Sequence, residues 1–254
     1  MGLKALVLAA GYATRLSPLT DDFPKMLLPL AGRPMLDYLL DHVREVQDLD
    51  GIHLITNSRF APIFDDWAPE DVTVHDDGTS SNDDRLGAIG DMRFTVERAG
   101  LRGEEALVVA GDNLIGYSVP DFVAFWREKG GSAVALYHCP DRELVKQYGV
   151  VELDDSDRIS AFEEKPAEPK SDLAATAAYL YAPEHLALLD DYLAAGNSPD
   201  APGNFVAWLY QREPVYGYRF SGEWLDIGDH EQLVEADGRM RERAGLPRRA
   251  RYTP

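Results

Sequence analysis

The hydrophobic positions along this chain follow two periods that alternate from the N-terminus onward. Short runs that are almost wholly apolar are typical of strands buried on both faces, whereas apolar residues spaced three and four apart predict amphipathic helices. The runs predict strands at 3–8, 52–56, 72–74, 106–110, 132–138, 149–153, 159–165, 174–182 and 215–220. The wider spacing predicts helices at 34–47, 60–67, 86–99, 120–126, 183–194 and 230–243, with a Pro/Gly loop at 197–204.

Strands and helices that alternate in this way indicate a doubly wound α/β sheet. The 254 residues are 45% hydrophobic, which is enough for one full core. No repeat, low-complexity tract or change of composition divides the chain, so we expect a single domain.

Composition narrows the classes of function. The chain has no apolar run of about 18 residues and no signal sequence, so we expect a cytoplasmic protein that does not bind membranes. Its single cysteine, Cys139, excludes an internal disulfide. A formal charge of −19 argues against nucleic acid as a partner, because nucleic-acid binding requires a basic face.

Against this acidic background, the stretch 8–25 reads LAAGYATRLSPLTDDFPK and concentrates the chemistry of an anion site. It follows the first predicted strand, and its small residues up to Gly11 let the backbone turn and approach a ligand closely. Arg15 and Lys25 then supply a planar guanidinium and a point charge, which suit phosphate groups. The sequence lacks the glycine patterns of a P-loop and of a dinucleotide-binding loop.

Three further charged sites follow predicted strands. Asp112 comes directly after the run 106–110, where ligands bind in open α/β sheets. Glu164 and Lys165 lie at the exit of another strand, and Asp226 follows Trp224.

The segment 76–84 is polar and reads as a solvated loop or as a lid over a nucleobase, with Asn82 among its candidate contacts. Gly87 and Gly90 begin the predicted helix at a cost of about 1 kcal/mol each against alanine. Such a cost suggests that something flat or bulky approaches the helix closely there.

Together these motifs resemble the sugar-1-phosphate nucleotidylyltransferases, also called NDP-sugar pyrophosphorylases. That family carries L-A-A-G-x-G-T-R-L-x-P-L-T-x-x-x-P-K, a G-D after a strand, an E-K-P and a W-x-D-I/V-G, and the resemblance runs from Leu3 to about Glu235. It implies a three-layer Rossmann-like fold of GT-A type with a mixed, mostly parallel central sheet. It also implies one nucleotidyltransferase domain over 1–254, with a nucleotide-binding part at about 1–115 and a sugar-phosphate-binding part at about 116–230.

The resemblance implies transfer of a nucleotidyl group from an NTP, with dTTP or UTP favoured, to a sugar 1-phosphate, with release of pyrophosphate. It places Mg²⁺ on Asp112 and Asp226. Arg15, Lys25 and Lys165 would stabilise the leaving phosphates, the α-phosphate and the sugar phosphate, respectively. The nucleotide-binding residues would be Leu8, Ala10, Gly11, Ala13, Thr14, Asn82 and Gly87, and the sugar-phosphate-binding residues would be Gly149, Glu164, Lys165 and Thr176.

Three positions depart from the family pattern. Ala13 and Ala177 stand where glycines are usual, and Arg85 stands about where the base-reading segment has a glycine. These departures leave the base and the sugar undetermined. The sequence also does not determine the pathway or whether the protein forms a homo-oligomer.

Three alternatives remain open at the level of sequence. The altered base-reading segment is compatible with a cytidylyltransferase for a non-sugar phosphate such as phosphocholine or inositol phosphate. A non-catalytic nucleotide-sugar sensor is disfavoured, because the carboxylates and lysines of the motifs are all present. A metal-dependent glycosyltransferase is disfavoured because Asp112 is followed by Asn113 and Leu114 and not by a D-x-D motif.

Overall fold

The computed structural model describes residues 2–254, and its strands follow the apolar runs closely. The strands are β1 (Leu3–Leu8), β2 (Pro29–Leu30), β3 (Arg33–Pro34), β4 (Leu49–Thr56), β5 (Val72–Asp76), β6 (Ala106–Ala110), β7 (Asn113–Ile115), β8 (Ser132–His138), β9 (Gly149–Leu153), β10 (Ile159–Glu164), β11 (Leu173–Tyr181), β12 (Val215–Phe220) and β13 (Trp224–Asp226). The nine predicted strands are confirmed. The short strands β2, β3, β7 and β13 were not predicted.

The helices are α1 (Met35–Arg44), α2 (Ala61–Trp67), α3 (Ala88–Arg98), α4 (Val119–Lys129), α5 (Arg142–Val145), α6 (Pro183–Leu186), α7 (Leu189–Ala194), α8 (Pro202–Leu209) and α9 (His230–Arg243). The helix predicted at 183–194 is two helices, because the chain turns between α6 and α7. The prediction of a loop through 204 was wrong at its end: α8 begins at Pro202, whose fixed φ and missing N–H suit the first turn of a helix.

Nine strands form one sheet in which β10, β9, β11, β6, β1, β4 and β5 are neighbours in that order, while β8 joins β11 to β12. The strands β1, β4, β5 and β6 run parallel, and β11 lies antiparallel to β6, β8 and β9. The sheet is therefore mixed, as the resemblance implied. The parallel pairing typical of a doubly wound sheet holds for β1, β4, β5 and β6, and again for β8 with β12.

The side chains of β1 divide between the two faces of the sheet, as the period of a strand requires. Leu3, Ala5 and Val7 pack in the cluster that contains the apolar stripes of α1, α2 and α4. Leu6 and Leu8 pack in a second cluster with α3, α7 and α8. The predicted three layers are confirmed, and both faces of β1 are buried. Within residues 2–254, no helix is both long enough and apolar enough to span a membrane.

Candidate active site

A cavity of about 450 Å³ opens at the edge of the sheet where β1 and β6 end. This is the edge at which open α/β sheets bind ligands, because strand ends and the loops after them converge there. Eleven of the residues predicted for the site line this cavity: Leu8, Ala10, Gly11, Asn82, Gly87, Asp112, Gly149, Glu164, Lys165, Thr176 and Asp226.

The glycine turn after β1 is held open toward the cavity by its neighbours. The amide of Ala9 donates to the carbonyl of Ile55 at 2.9 Å, and the side-chain amide of Asn57 donates to the carbonyl of Ala10 at 2.9 Å. A Cβ placed on Gly11 would meet no atom within 4 Å. The space beside Gly11 is thus free for a ligand, which agrees with its predicted role.

Ala13 and Thr14 lie behind the cavity, where the chain turns. Ala13 has left-handed backbone, with φ 47° and ψ 40°, and a short 3₁₀ turn follows at Thr14–Leu16. The hydroxyl of Thr20 donates to the carbonyl of Ala13 at 2.9 Å, which holds this turn. Neither Ala13 nor Thr14 lines the cavity, so their predicted contacts with nucleotide stay predictions.

Arg15 approaches the second acidic site. A Cβ placed on Gly228 would lie 2.8 Å from Nη2 of Arg15, so the glycine after Asp226 leaves room for the guanidinium. The positive charge of Arg15 also acts to lower the pKa of Asp226. The first motif and the last one, more than 200 residues apart in sequence, therefore meet at this edge of the sheet.

Lys25 is not among the residues that line the cavity, but it joins the loop end of Asp112, which does, to that of Ile227. Its side chain is buried, and its Nζ donates to Oδ2 of Asp112 at 2.6 Å and to the carbonyl of Ile227 at 2.8 Å. A buried ammonium is stable only when it is paired and hydrogen-bonded, and both conditions are met here. The lysine therefore has a fixed position beside the two carboxylates.

Asp112 and Asp226 are brought together by the short sheet of β7 and β13. These strands pair antiparallel with Asp226 opposite Asn113, and the amide of Ile227 donates to the carbonyl of Asp112 at 3.1 Å. Trp224 fixes the pairing through a hydrogen bond from its indole N–H to the side-chain oxygen of Asn113. Neither short strand carries a long apolar run, which is why sequence patterns missed them.

The two carboxylates titrate differently. Burial, together with the negative charge of Asp112, raises the pKa of Asp226 to about 6, although Lys25, Arg15 and Lys165 oppose the rise. Burial would also raise the pKa of Asp112, but the charge and hydrogen bond of Lys25 outweigh it and lower that pKa. Asp112 and Asp226 thus bring two carboxylates together at the cavity, and hard divalent cations bind to oxygen ligands of this kind.

The opposite side of the cavity is built by β9, β10 and α8. Glu164 pairs with Gly149 across the two strands, and a Cβ on Gly149 would lie 3.0 Å from Oε2 of Glu164. Gly203, in the first turn of α8, also leaves room for this oxygen. Burial raises the pKa of Glu164, while the ammonium of Lys165 acts to lower it. Lys165 itself has left-handed backbone with φ 49°.

Thr176 lines the cavity but uses its hydroxyl within the fold. The hydroxyl donates to the carbonyl of Ala135 at 3.0 Å, and the residue is 1% exposed. Its contact with a sugar phosphate stays a prediction. The adjacent Ala177, a departure from the family pattern, also lines the cavity and has φ 53°.

At the far end of the cavity, the base-reading segment is closed by the chain itself. A Cβ on Gly87 would lie 2.7 Å from the carbonyl oxygen of Pro199, and Arg85 donates to the carbonyl of Asn82 at 2.7 Å and to Asp200 at 3.2 Å. The expectation of a close approach at Gly87 is confirmed, but the approaching group is backbone. Gly87 also precedes α3 and is not part of the helix.

Sequence reasoning missed several residues that line the cavity. Tyr148, Asp91 and Gly203 were not singled out, although each contributes to its surface. Only Asp91 had a signal in the sequence. It lies one turn from Ala88 and Thr95, on a face of α3 that is otherwise apolar or small, where a carboxylate is out of place.

Comparison with known proteins identifies the family and the fold. A family model described as nucleotidyl transferase matches residues 4–243. The chain is 30% identical over 239 residues to a UTP–glucose-1-phosphate uridylyltransferase of Synechocystis sp., covering 89% of this chain and 60% of that protein. It is 32% identical over 250 residues to a glucose-1-phosphate thymidylyltransferase of Streptomyces griseus, covering 92% of this chain and 65% of that protein. The chain thus spans about three fifths of the length of these curated relatives.

Solved structures share the fold over nearly the whole chain. A UDP-glucose pyrophosphorylase complexed with UDP-glucose superposes with a TM-score of 0.80 at 22% identity, covering 96% of this chain and 100% of the other. A UTP-bound enzyme described as UGPase from Acinetobacter baumannii superposes with a TM-score of 0.73 at 19% identity, covering 93% of this chain and 92% of the other. These likenesses establish the three-layer fold.

Proposed function

This chain belongs to the nucleotidyl transferase family, and on that premise we propose that it transfers a nucleotidyl group from an NTP to a sugar 1-phosphate. UTP and dTTP are the favoured donors, since the curated relatives include a uridylyltransferase and a thymidylyltransferase that act on glucose 1-phosphate. These relatives favour the sugar-phosphate reaction over the cytidylyltransferase for a non-sugar phosphate. The retained lysines and carboxylates favour it over a nucleotide-sugar sensor.

One observation carries the proposal: charged groups from two parts of the chain meet at a single cavity. Asp112, after β6, and Asp226, in β13, line it, and Lys25 is bonded to Asp112. Glu164 and Lys165 line the same cavity from the end of β10. The arrangement provides a cation for a triphosphate, a cation for a second phosphate, and a carboxylate that can accept hydrogen bonds from sugar hydroxyls. A site for two phosphorylated substrates requires these groups.

The reaction needs no general base from the protein. The second pKa of a phosphate monoester is about 6, so near neutral pH the sugar phosphate already carries a nucleophilic oxygen. That oxygen attacks the α-phosphorus in line, the bond from this phosphorus to the oxygen bridging to the β-phosphate breaks, and pyrophosphate leaves. Lys25 would neutralise charge at the α-phosphate, Arg15 at the departing phosphates and Lys165 at the incoming phosphate.

The residues at the acidic site fit Mg²⁺. Asp226 accepts no side-chain hydrogen bond from residues 2–254, and both oxygens of Asp112 keep lone pairs beyond those used by Lys25 and Asn113. In the described chain no third metal-binding side chain joins them, and Mg²⁺ is commonly held by one or two carboxylates with water and phosphate oxygens. When bound there, the ion would orient the α-phosphate and neutralise its charge.

Replacement of Lys25 tests the proposal. Pyrophosphate release should be measured for each NTP against a panel of sugar 1-phosphates, with product masses to identify base and sugar. Lys25→Ala should lower the rate on the best pair by about 10²–10³-fold, because a preorganised cation at the reacting phosphate is lost.

Lys4→Ala is the matched control, since Lys4 lies in β1 but pairs with Asp50 at 2.7 Å at the protein surface. It should keep the rate of the unmodified protein. A Lys25→Ala variant with an unchanged rate would contradict the role of Lys25. Absence of pyrophosphate release with every substrate pair would overturn the proposed function.

A further inference from the structure

Two carboxylates outside the phosphate site form a buried pair beside the cavity. Asp77 follows β5 and is 8% exposed, and Asp91 lies in the first turns of α3 and is 6% exposed. The two carboxyl groups are close enough that each affects the pKa of the other. Oδ2 of Asp77 and Oδ1 of Asp91 are fully enclosed, and no donor from residues 2–254 reaches either atom.

A proton shared by the two carboxyl groups explains why neither enclosed oxygen needs another hydrogen-bond donor. Two adjacent buried carboxylates cannot both ionise at low cost, so one of them retains a proton. Burial first, and then the charge of Asp77, raise the pKa of Asp91 to about 8, while burial also raises the pKa of Asp77. The other oxygen of Asp77, Oδ1, already accepts the amide N–H of Thr79 at 2.7 Å. Near neutral pH the pair therefore holds one proton.

The pair presents one hydrogen-bond acceptor to the cavity. Asp91 lines the cavity beside Asn82 and Gly87, and since its Oδ1 is fully enclosed, its Oδ2 is the oxygen that a ligand can reach. Whichever residue carries the shared proton, this Oδ2 remains an acceptor.

The remaining charged and titratable groups around the pair leave this acceptor uncompensated. Asp76 and the Tyr12 phenol lie near Asp77, Asp84 and Arg59 lie near that phenol, and Arg85 and Asp200 are on the cavity wall. The guanidinium of Arg59 donates to Asp22, and that of Arg85 is already engaged by the carbonyl of Asn82 and by Asp200. Asp91 as a whole is 6% exposed, and its Oδ2, on the part of the cavity lined by Asn82 and Gly87, awaits a donor from a ligand.

We propose that Asp91 reads the nucleobase by accepting the ring N3–H of uracil or thymine, and that Asp77 is the positioning residue that holds it; this inference rests on the proposed function. A uracil or thymine ring offers one N–H between two carbonyl oxygens, which matches a single acceptor. Cytosine and adenine have a lone pair on the corresponding ring nitrogen, which an acceptor repels. Guanine offers two parallel donors, which require both oxygens of a carboxylate.

Two substitutions at Asp91 separate base reading from folding. Asp91→Ala removes the acceptor and should raise KM for UTP about tenfold while reducing the preference for UTP over CTP, because one hydrogen bond to the base is lost. Asp91→Asn should keep both the KM for UTP and the preference for UTP over CTP of the unmodified protein. The ionised Asp77 holds the amide N–H₂ of the new side chain, which leaves the amide oxygen toward the base as the neutral acid does.

The pH profile provides a readout that a purely structural role would not change. As the pH rises through about 8 the shared proton is lost, the two carboxylates repel each other, and KM for UTP in the unmodified protein should rise. In Asp91→Asn, which has no such proton, KM for UTP should stay flat between pH 7 and 9. Asp237→Asn is the matched control, because Asp237 is 3% exposed, accepts the amide of Ala31 and lies outside the cavity lining. It should retain the profile of the unmodified protein.

Binding measurements keep the test independent of turnover. By calorimetry, Asp91→Ala should weaken UTP binding and leave inorganic triphosphate, which has no base, unchanged. Equal losses for both ligands, an unchanged preference for UTP over CTP in Asp91→Ala, or a preference of the unmodified protein for CTP, ATP or GTP would overturn the base-reading role. Failure of the proposed function would show instead as selective UTP binding without pyrophosphate release.

Discussion

At the scale of single residues, the site contains three residues other than glycine with left-handed backbone. Ala13, Lys165 and Ala177 have φ of 47°, 49° and 53°, in a region where a Cβ costs about 1–2 kcal/mol. At Ala13 and Ala177 the sequences that this chain resembles usually have glycine. At both positions the backbone has the conformation that glycine favours, although the residue is alanine. The two alanines therefore add backbone strain but do not alter the path of the chain. Strain of this kind concentrates at functional sites.

Replacement of either alanine by glycine should stabilise the protein. Ala13→Gly and Ala177→Gly should each raise the free energy of unfolding by about 0.5–1 kcal/mol, because relief of left-handed strain exceeds the added entropy of the unfolded chain. Urea denaturation followed by circular dichroism measures the change. Ala124→Gly is the control: this exposed residue in the interior of α4 has ordinary helical backbone, so its replacement should cost about 1 kcal/mol. A similar loss in all three variants would contradict the left-handed assignment.

At the scale of elements, the loop before α8 caps the start of α3. The first N–H groups of a helix have no partner within it, and here Ile89 donates to the carbonyl of Pro199 at 2.9 Å. Gly87, with φ 78°, permits this contact because it has no side chain. The same loop leads into the turn of α8 where Gly203 accommodates Glu164. The contact therefore links the segment predicted to read the base to the residues predicted to bind the sugar phosphate.

Gly87→Ala should break this link. Its Cβ would lie 2.7 Å from the carbonyl oxygen of Pro199, whereas a Cβ on Gly100, at φ 69°, would meet no atom within 4 Å. Both glycines have positive φ, so Gly100→Ala controls for that cost, whereas ψ 159° at Gly87 is open almost only to glycine and adds to the loss there. We expect Gly87→Ala to lose about 1–3 kcal/mol more of unfolding free energy than Gly100→Ala and, unlike it, to raise KM for the NTP. Equal losses in urea denaturation and equal KM values would show that the contact is dispensable.

At the scale of the whole molecule, one sheet carries both parts of the candidate site. β6 pairs with β1 on one side and with β11 on the other, so the predicted nucleotide-binding and sugar-phosphate-binding parts share a continuous set of backbone hydrogen bonds. The small sheet of β7 and β13 adds a second connection between residues 113 and 226. Neither part has a core of its own, since both helix layers pack against strands from both parts.

We therefore expect the chain to unfold in one cooperative transition. Far-UV circular dichroism reports on the whole sheet, and fluorescence reports on four tryptophans, of which Trp67 lies in the first part and Trp224 beside the cavity. In urea the two signals should change together, with a common midpoint and a common slope. Separate midpoints would contradict the prediction that residues 1–254 form a single domain.

Much of the molecule follows from local sequence. Nine strands and the position of α9 follow from hydrophobic periods, because burial of an apolar run or stripe is a local requirement. The residue types of the site follow from their position after predicted strands. The spacing from Leu8 to Lys25, together with the motifs at Asp112, Lys165 and Asp226, also indicated the family, which the comparison confirmed.

Only the tertiary structure decided which of these residues meet. Lys25 bridges Asp112 and Ile227, 87 and 202 residues away, and Asp77 meets Asp91 from a different element. No local pattern encodes such pairings, because they depend on strand order and on how loops pack. The antiparallel insertion of β11 and the brief strands β7 and β13 have the same origin. These strands are stabilised by partners that are distant in sequence. The charged residues could therefore be identified from the sequence, but their shared proton, their ion pairs and their common cavity could not.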